Sequence, residues 1–408
     1  MLWGMRSGLL TLAMLFAVTA SAQAFELSDD LTITGYGDLR VVAPTDQASW
    51  LDGGLGKFRY GGSGTKLRAA EAVLQADLNL ADGLHAVTLL RAEPQTPGVV
   101  DALETYLRYA PAADGDVSWS VKAGAFFPSI SLENNDLGWA SPYTLTPSAI
   151  NSWIGDELRT IGSEATLRWK TDAGTLSLIG ALTCCNDEAG IVMADRGWSM
   201  DDRPTGLFER VRLPTATMAI FHAPLYARTG LFDEIDGAPG WYAGATWQMP
   251  QIGKLSVTRY DNEADPAATS TRDTAWHTQF WNFGARTALG PVTLIAQQMS
   301  GRTEVISRGN PNVTKFESGF LLASMDIDDW RFSVREDLFQ TRRAHATNNT
   351  WSEDGDAFTA AVSWSPKDWL RLTGELIAMH SRRGEYLPAG LGSGRNDTQT
   401  QFSTRFFF

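Results

Sequence analysis

Apolar and polar residues alternate with a period of two through most of this 408-residue chain. In residues 71–80, for example, Leu74 and Leu78 alternate with Gln75 and Asp77. In a β-strand such alternation places the apolar side chains on one face and the polar ones on the other. The pattern recurs in segments of about ten residues bounded by turn residues. Because sustained helical periodicity is almost absent, we expect an all-β protein.

The alternating segments number sixteen, an even count, and they are 31–42, 66–80, 83–93, 101–110, 116–127, 159–171, 174–184, 239–250, 253–261, 274–289, 291–301, 314–327, 329–340, 355–366, 368–380 and 397–408. Short turns alternate with longer connections, which are 43–65, 94–100, 128–158, 185–238, 262–273, 302–313, 341–354 and 381–396. This alternation predicts an antiparallel β-barrel of about 16 strands, with turns on one rim and loops on the other.

The apolar faces of these segments indicate a membrane protein. No predicted helices are available to cover them, so the faces need an apolar solvent, which lipid supplies. Closing the sheet leaves no unpaired strand edge in hydrocarbon. Aromatic residues beside the short turns predict an interfacial belt, and they are Trp119, Trp169, Trp247, Trp330, Trp364, Trp369 and Tyr109. The sequence therefore predicts a transmembrane barrel.

The two ends of the chain indicate the bacterial outer membrane. Residues 1–24 combine Arg6, the apolar run Leu9–Val18 and an Ala-x-Ala end, which are the parts of a signal peptide. An N-terminal anchor is the alternative, but the run is short for a membrane span. Residues 25–408 then form one barrel, in contact with lipid and lipopolysaccharide. The last residue, Phe408, resembles the terminal aromatic by which the barrel-assembly machinery identifies such proteins.

Charge and composition exclude several other classes of protein. The net charge of −13 argues against a nucleic-acid partner, which would need a basic surface. The two cysteines are too few for a disulfide scaffold, although Cys184 and Cys185 are adjacent and a vicinal disulfide between them is one reading. The five histidines show no metal-ligand spacing, so we expect no metal site. We also expect no cofactor.

One short motif resembles a known porin family. The matching residues run from the fifth segment into the third long loop, and they are Gly124, Phe126, Pro128, Ser131, Leu132 and Glu133. They resemble the phosphate-selective porins. The resemblance implies a sixteen-stranded, commonly homotrimeric porin whose third loop folds into the lumen. Phosphate selectivity is not carried over, because the dense basic ladder and the loop lysines of that family are not recognisable here.

The candidate pore residues follow from the loop and from strand parity. The predicted constriction consists of loop residues Glu133, Asp136, Asp156, Glu157 and Arg159. Loop carboxylates opposite wall guanidinium groups would create a transverse field that sorts solutes by charge. Parity places ten bases against seven acids on the inner wall, which is at best a mild anionic preference and is offset by the acidic loop. The wall residues that we single out are Arg91, Arg108, Lys122, Arg168, Arg331, Arg335, Arg371, Glu71 and Glu104. For any one of them, hydration or cross-strand pairing is the plainer role.

The predicted function is passive diffusion of small hydrophilic solutes or ions through a water-filled channel, without enzymatic activity. The alternative is an outer-membrane barrel enzyme that hydrolyses lipid, in which His277 would act near Thr274 and Thr278. No serine–histidine spacing supports that alternative. An energised receptor with an internal plug would need roughly 22 strands, more than this length allows.

Overall fold

The sheet closes on itself through sixteen antiparallel strands. The computed structural model describes residues 25–94, 99–213, 228–271, 273–307, 309–344, 352–384, 390, 392 and 394–408. The predicted signal peptide lies outside them. The barrel strands are β1 Leu31–Ala43, β2 Lys66–Ala81, β3 Leu84–Ala92, β4 Val100–Tyr109, β5 Val117–Phe126, β6 Thr160–Thr171, β7 Gly174–Cys184, β8 Gly240–Met249, β9 Gly253–Asp261, β10 His277–Leu289, β11 Val292–Ser307, β12 Asn310–Ile327, β13 Trp330–Ala344, β14 Glu353–Lys367, β15 Leu370–Arg383 and β16 Gly394–Phe407.

Each strand pairs with the next along the chain, and β16 pairs with β1. The pair β7–β8 forms across a long loop, with Tyr242 opposite Ala181. A short strand, Phe25–Ser28, pairs with the start of β1, and Arg210–Arg212 pairs with Arg228–Gly230 outside the ring. The predicted fold is thereby confirmed as a closed sixteen-strand antiparallel barrel.

The outer wall is apolar and carries the expected aromatic belt. Trp119 and Trp169 are 46% and 54% exposed beside the short turns. Trp330 stacks on Trp364 with ring centroids 5.5 Å apart. Because amphipathic rings favour a membrane interface, this belt marks one edge of the apolar band. Within the described part of the chain, none of the helices has the length and apolar character needed to cross a membrane.

The connection predicted at 302–313 is wrong. Strand β11 continues to Ser307 and β12 starts at Asn310, so a tight turn replaces the expected loop. The sequence pattern missed this part of the strand because the outward-facing residues Arg302 and Glu304 are polar, so apolar and polar residues do not alternate. Strands that rise above the hydrocarbon keep their hydrogen bonds but no longer need an apolar outer face. The alternation signal therefore stops before the strand does.

Three of the remaining loops fill the half of the interior that lies toward the loop rim. We name them L1 (44–65), L3 (127–159) and L4 (185–239). L3 contains helix α1, Ala149–Glu157, and L4 contains the short helix α2, Ile191–Arg196. Trp153 of α1 packs 5.1 Å from Phe316 and 5.6 Å from Phe280, measured between ring centroids, and both phenylalanines point inward from the wall. The loops and the wall thus share one apolar core.

Helix α1 is buried on every side. Ser148 precedes it as the N-cap, with its hydroxyl accepting from the Asn151 N–H at 3.4 Å. All nine helical residues are buried. A helix without an exposed polar face belongs to a core rather than to a surface, and α1 is accordingly packed inside the barrel.

The disulfide expected as one reading of Cys184 and Cys185 is formed. It lies where β7 ends and L4 begins, and Cys185 has a φ of 69°, in the left-handed region. This places a rigid turn immediately before Asn186 and Asp187, which fold back into the loop. No cysteine thiol is free.

Candidate functional site: the barrel interior

L3 is held against the wall by one buried arginine. Arg335, which points inward from β13, donates from Nη1 to Glu133 Oε1 at 2.7 Å and to the Thr146 carbonyl at 2.8 Å. Its Nε donates to Asp337 Oδ2 at 2.6 Å. Both ends of the Arg335–Glu133 pair are fully buried. A paired and hydrogen-bonded charge is the form in which proteins tolerate burial, so this contact is a fixed anchor for the loop.

The start of α1 is fixed by wall carboxylates. Asp337 accepts from the Ala149 N–H at 3.1 Å, and Glu375 accepts from the Leu145 N–H at 2.6 Å and the Thr146 hydroxyl at 2.7 Å. Negative charge beside the first turn of a helix is favourable, because the N–H groups there have no helical partner. Since β13 and β15 lie across the ring from β5 and β6, these bonds show that L3 crosses the barrel interior.

The end of α1 is fixed by L4. Asp156 accepts from Arg196 at 2.6 Å, and Glu157 accepts from the N–H groups of Gly190 and Val192, each at 2.8 Å. Burial raises the pKa of both carboxyls, and Arg196 opposes the shift at Asp156. Glu157 thereby caps α2. The two loops consequently form one packed unit.

Arg159 donates hydrogen bonds to the backbone carbonyls at the end of α1. Its guanidinium donates to Gly155 O at 3.1 Å and Leu158 O at 2.9 Å, and to Thr205 O of L4 at 2.7 Å. It also lies 3.4 Å over the ring of Phe127. Basic side chains commonly bind the unpaired carbonyls at helix ends. Arg159 is fully buried, so its charge supports the loop instead of facing lumen water.

L3 brings the predicted constriction residues into one packed region, but most of them contact protein. Glu133, Asp156, Glu157 and Arg159 are at most 5% exposed. Only Asp136 is partly exposed, and it pairs with Arg371 of the wall at 3.2 Å. Near it, Arg331 donates to the Pro142 carbonyl at 2.8 Å. The part of L3 that faces the lumen toward the short turns is therefore the segment 136–142, and Arg331 and Arg371 of the wall lie beside it.

Sequence reasoning missed the anchors of L4. Asp202 pairs with Arg40 of β1 at 2.6 Å and with Arg59 of L1 at 3.2 Å. Nearby, Arg203 pairs with Glu93 at 2.6 Å. Burial raises the pKa of Asp202, but Arg40 of the wall and Arg59 of L1 lower it, and the net shift is downward. The parity argument could have identified Arg40, because it lies two residues from Asp38 and both point inward. The loop residues carried no comparable signal.

The half of the interior toward the short turns is basic. Arg108 is directly opposite Lys122 in the β4–β5 register, and Lys254 is opposite Arg286 between β9 and β10. Like charges in opposing positions destabilise a sheet. Lys122 forms an ion pair with Glu164, with Nζ 3.1 Å from the carboxylate oxygen. Within the described ranges, no ion pair joins Arg108, Lys254 or Arg286 to a carboxylate, whereas the acids Asp77 and Asp326 in this half are paired with His85 and Arg331.

The predicted wall residues all point inward, and they divide by depth. Arg91, Arg335 and Glu71 are at most 5% exposed beneath the loops. Glu104 accepts from the Phe127 N–H at 2.7 Å and is likewise engaged by L3. The others lie toward the short turns, where Arg108 and Arg168 are exposed and the side chains of Lys122, Arg331 and Arg371 are partly exposed. Parity gave the face correctly, whereas depth depended on the loops.

The residues of the enzymatic alternative have structural partners. His277 Nε2 lies 2.8 Å from Asp261 Oδ1. The Thr278 hydroxyl is buried and lies 2.7 Å from the hydroxyl of Thr303. Thr274 is 8% exposed. These contacts orient the groups toward the wall and its loops.

The barrel is similar in three dimensions to solved outer-membrane proteins. It matches the outer membrane channel DcaP of Acinetobacter baumannii with a TM-score of 0.59 and 9% identity, over 95% of this chain and 100% of that one. It matches OmpF of Salmonella typhi at 0.54 and 12%, over 93% and 97%. It matches an anion-selective porin from Comamonas acidovorans at 0.53 and 12%, over 93% and 99%. At such identities the likeness establishes a shared porin-type fold.

No protein-family model matches the sequence, and no curated protein matches it significantly.

Proposed function

We propose that this chain is a porin of the bacterial outer membrane, through which small hydrophilic solutes diffuse passively and anions diffuse in preference to cations. The apolar outer wall and the aromatic belt suit a lipid bilayer, and the inner wall is polar. A closed barrel of this size encloses enough space for an aqueous channel. We propose no catalytic step.

The observation that carries the anion preference is the uncompensated basic charge toward the short turns. Arg108, Arg168, Lys254 and Arg286 project into the lumen there. Charges that line a low-dielectric tunnel focus the field and raise the local concentration of counter-ions. Glu71, Asp337 and Glu375 of the same wall are at most 5% exposed and bonded to protein, and the more exposed Asp77 and Asp326 are paired with His85 and Arg331, so the unpaired bases dominate this field.

The packing of L1, L3 and L4 supports a narrow path for solutes. These loops occupy the interior on the loop side, where Trp153 and Trp198 are fully buried. A lumen reduced in this way passes small solutes and carries less current than an open barrel of sixteen strands. The contact between Asp136 and Arg371 lies at the lower edge of the loops, and we propose that it borders the constriction.

Kinship with the phosphate-selective porins is the finer proposal. It rests on the stretch from Gly124 to Glu133, in which Glu133 anchors the loop to Arg335. The basic wall is consistent with phosphate as one of several small anions. Uptake of phosphate compared with chloride and acetate by liposomes containing the protein would separate a phosphate channel from a general anion channel.

Bilayer recording tests the anion preference. In a salt gradient, the reversal potential of the wild-type channel should favour chloride over potassium. Replacing the opposed pair by Lys254→Gln and Arg286→Gln should move the permeability ratio toward one, because two unpaired charges leave the lumen wall. Lys315→Gln is the matched control, since Lys315 lies on the outward face of β12. Equal reversal potentials in the double variant and the wild type would refute the proposed role of these charges.

We propose that the chain assembles as a homotrimer through the outer face of β12–β15. Glu336 points outward from β13, six residues from Trp330, which is roughly 15 Å from the belt at the usual strand rise and tilt. Asp356 is also outward and exposed, 3.5 Å from His380. Charged groups are costly on a lipid-facing wall. A second copy of the chain covering this face would remove them from lipid.

The C-terminus is proposed to carry the assembly signal. Phe408 extends the ladder of β16 by exchanging two backbone hydrogen bonds of 3.0 Å with Gly35. Its ring adjoins Gly35, where a Cβ would lie 2.5 Å from the Phe408 ring. We propose that the barrel-assembly machinery binds this last strand and that the finished outer wall contacts lipid and lipopolysaccharide.

A further inference from the structure

A group of acidic residues lies at the base of L4, away from the channel interior. Asp187 follows the disulfide at the end of β7, and Glu234 and Asp236 lie shortly before β8. Carboxylate oxygens of these three residues lie within 4.8 Å of one another. The group therefore joins the first residues of the loop to its last.

Backbone N–H groups hold the carboxylates in place. Asp187 Oδ2 accepts from the Ile235 N–H at 2.6 Å and the Asp236 N–H at 3.2 Å. Glu234 accepts from the Gly237 N–H at 2.6 Å and the Cys185 N–H at 3.0 Å. Asp236 likewise accepts at both oxygens, from the N–H groups of Ala238 and Asp265, so five of the six carboxylate oxygens are oriented by the backbone. The arrangement is pre-formed by the loop.

One oxygen of this group lacks a partner. Asp187 is 0% exposed, and its Oδ1 is buried without a hydrogen bond in the described part of the chain. An unsatisfied buried carboxylate oxygen is costly, because its hydration has been removed and not replaced. The site thus concentrates negative charge that it does not itself neutralise.

Two neighbouring acidic groups differ because each contains its own basic side chain. In the first, Arg210 lies 3.9 Å from Asp233 and 3.6 Å from Asp273. In the second group, His277 lies 2.8 Å from Asp261. Within the described ranges, no lysine, arginine or histidine forms an ion pair with Asp187, Glu234 or Asp236.

We propose that Asp187, Glu234 and Asp236 bind a hard divalent cation, Ca²⁺, that fastens the two ends of L4. The ligands are oxygen atoms alone, which suits Ca²⁺, whereas zinc favours nitrogen and sulfur ligands. The adjacent cysteines supply no thiolate because they form a disulfide. Glu234 is exposed and Asp236 partly so, which leaves a route for the ion. Water completes the coordination shell.

Calorimetry with CaCl₂ on the intact, detergent-folded protein, after removal of metal by EDTA, tests this proposal. We expect one Ca²⁺ per chain with a dissociation constant on the order of 10⁻⁴–10⁻³ M, as in other extracellular sites. Asp187→Asn should weaken binding at least roughly tenfold, because it removes the unpartnered oxygen's charge. Asp233→Asn is the matched control in the adjacent group and should bind like the wild type.

Two further measurements keep the outcome unambiguous. Resistance to SDS before heating reports whether each variant is folded, and Asp236→Asn replaces Asp187→Asn should the latter fail to fold. Absence of Ca²⁺ binding by the wild type would overturn the proposal, as would equal affinity in the wild type and in a folded Asp187→Asn or Asp236→Asn variant. Channel selectivity is measured separately and does not depend on this site.

Discussion

Arg335 is the residue on which the position of L3 depends most directly. Its guanidinium satisfies Glu133, Asp337 and the Thr146 carbonyl at once, with no exposure to water. Removing one member of a buried ion pair leaves its partner charged and unsolvated. The cost therefore reflects the two carboxylates left behind as well as the lost bonds.

We expect Arg335→Met to destabilise the folded barrel by about 3–5 kcal/mol, which is the range for breaking a buried pair. Unfolding by urea in lipid vesicles measures this change. Arg331→Met, on the same strand, is the control, because Asp326, the partner of Arg331, is 61% exposed and such pairs contribute about 1 kcal/mol or less. A loss in Arg335→Met no larger than in the control would contradict the anchoring role.

At the same scale, the charges on the wall were predictable in direction but not in role. The alternation in 329–340 correctly placed Arg331 and Arg335 on one face. Their environments differ because Arg335 is fully buried against L3, whereas Arg331 is partly exposed, donates to L3 at the Pro142 carbonyl and pairs with the exposed Asp326. A contact between strand and loop residues about 200 positions apart leaves no periodic trace in the sequence. This is why the sequence carried no sign that most of the predicted constriction residues are buried.

L4 is the element that closes the interior from the loop side, and Asp202 is its main tie to the wall. Arg40 and Arg59 both pair with Asp202. Without this carboxylate, the buried Arg40 keeps Asp38 and the buried Arg59 keeps Glu71 and Glu93, but both lose the acidic partner that they share. Like charges in a poorly solvated site repel strongly.

Asp202→Asn should therefore loosen L4 and raise single-channel conductance in planar bilayers, because the loop no longer blocks the same part of the lumen. Asp233→Asn, an acid at the surface of the same loop, should leave conductance unchanged. Unaltered conductance in a folded Asp202→Asn variant would show that L4 does not limit the current.

The strands were more predictable than the loops for a physical reason. One face of each membrane-spanning strand meets lipid and the other meets water. Apolar and polar residues therefore alternate along each of these strands. The pattern ends before the strand does where both faces meet water, as at residues 302–307. Within L4, the short helix lies at Ile191–Arg196, and no period-two pattern marks it in the sequence.

For the whole molecule, the outward carboxylates on β13 and β14 set a condition on how copies assemble. Leu338 is 61% exposed between Glu336 and Gln340 on that face. A photo-reactive benzoylphenylalanine introduced at Leu338 should crosslink to a second copy of the chain and produce dimer and trimer bands. The same label at Leu178, which is 44% exposed on β7, should react with lipid or detergent only. Crosslinks from Leu178 alone would place the interface elsewhere.

The unequal strand lengths have a consequence for the shape of the mouth. Strand β12 contains 18 residues and β9 contains nine. At the usual rise and tilt, this difference is roughly 20 Å along the barrel axis. The rim is therefore slanted, with a raised edge formed by the hairpin of β11 and β12. Large molecules that approach the cell from outside would contact this raised edge first. Small solutes would enter on the opposite side of the mouth, where the strands are shorter.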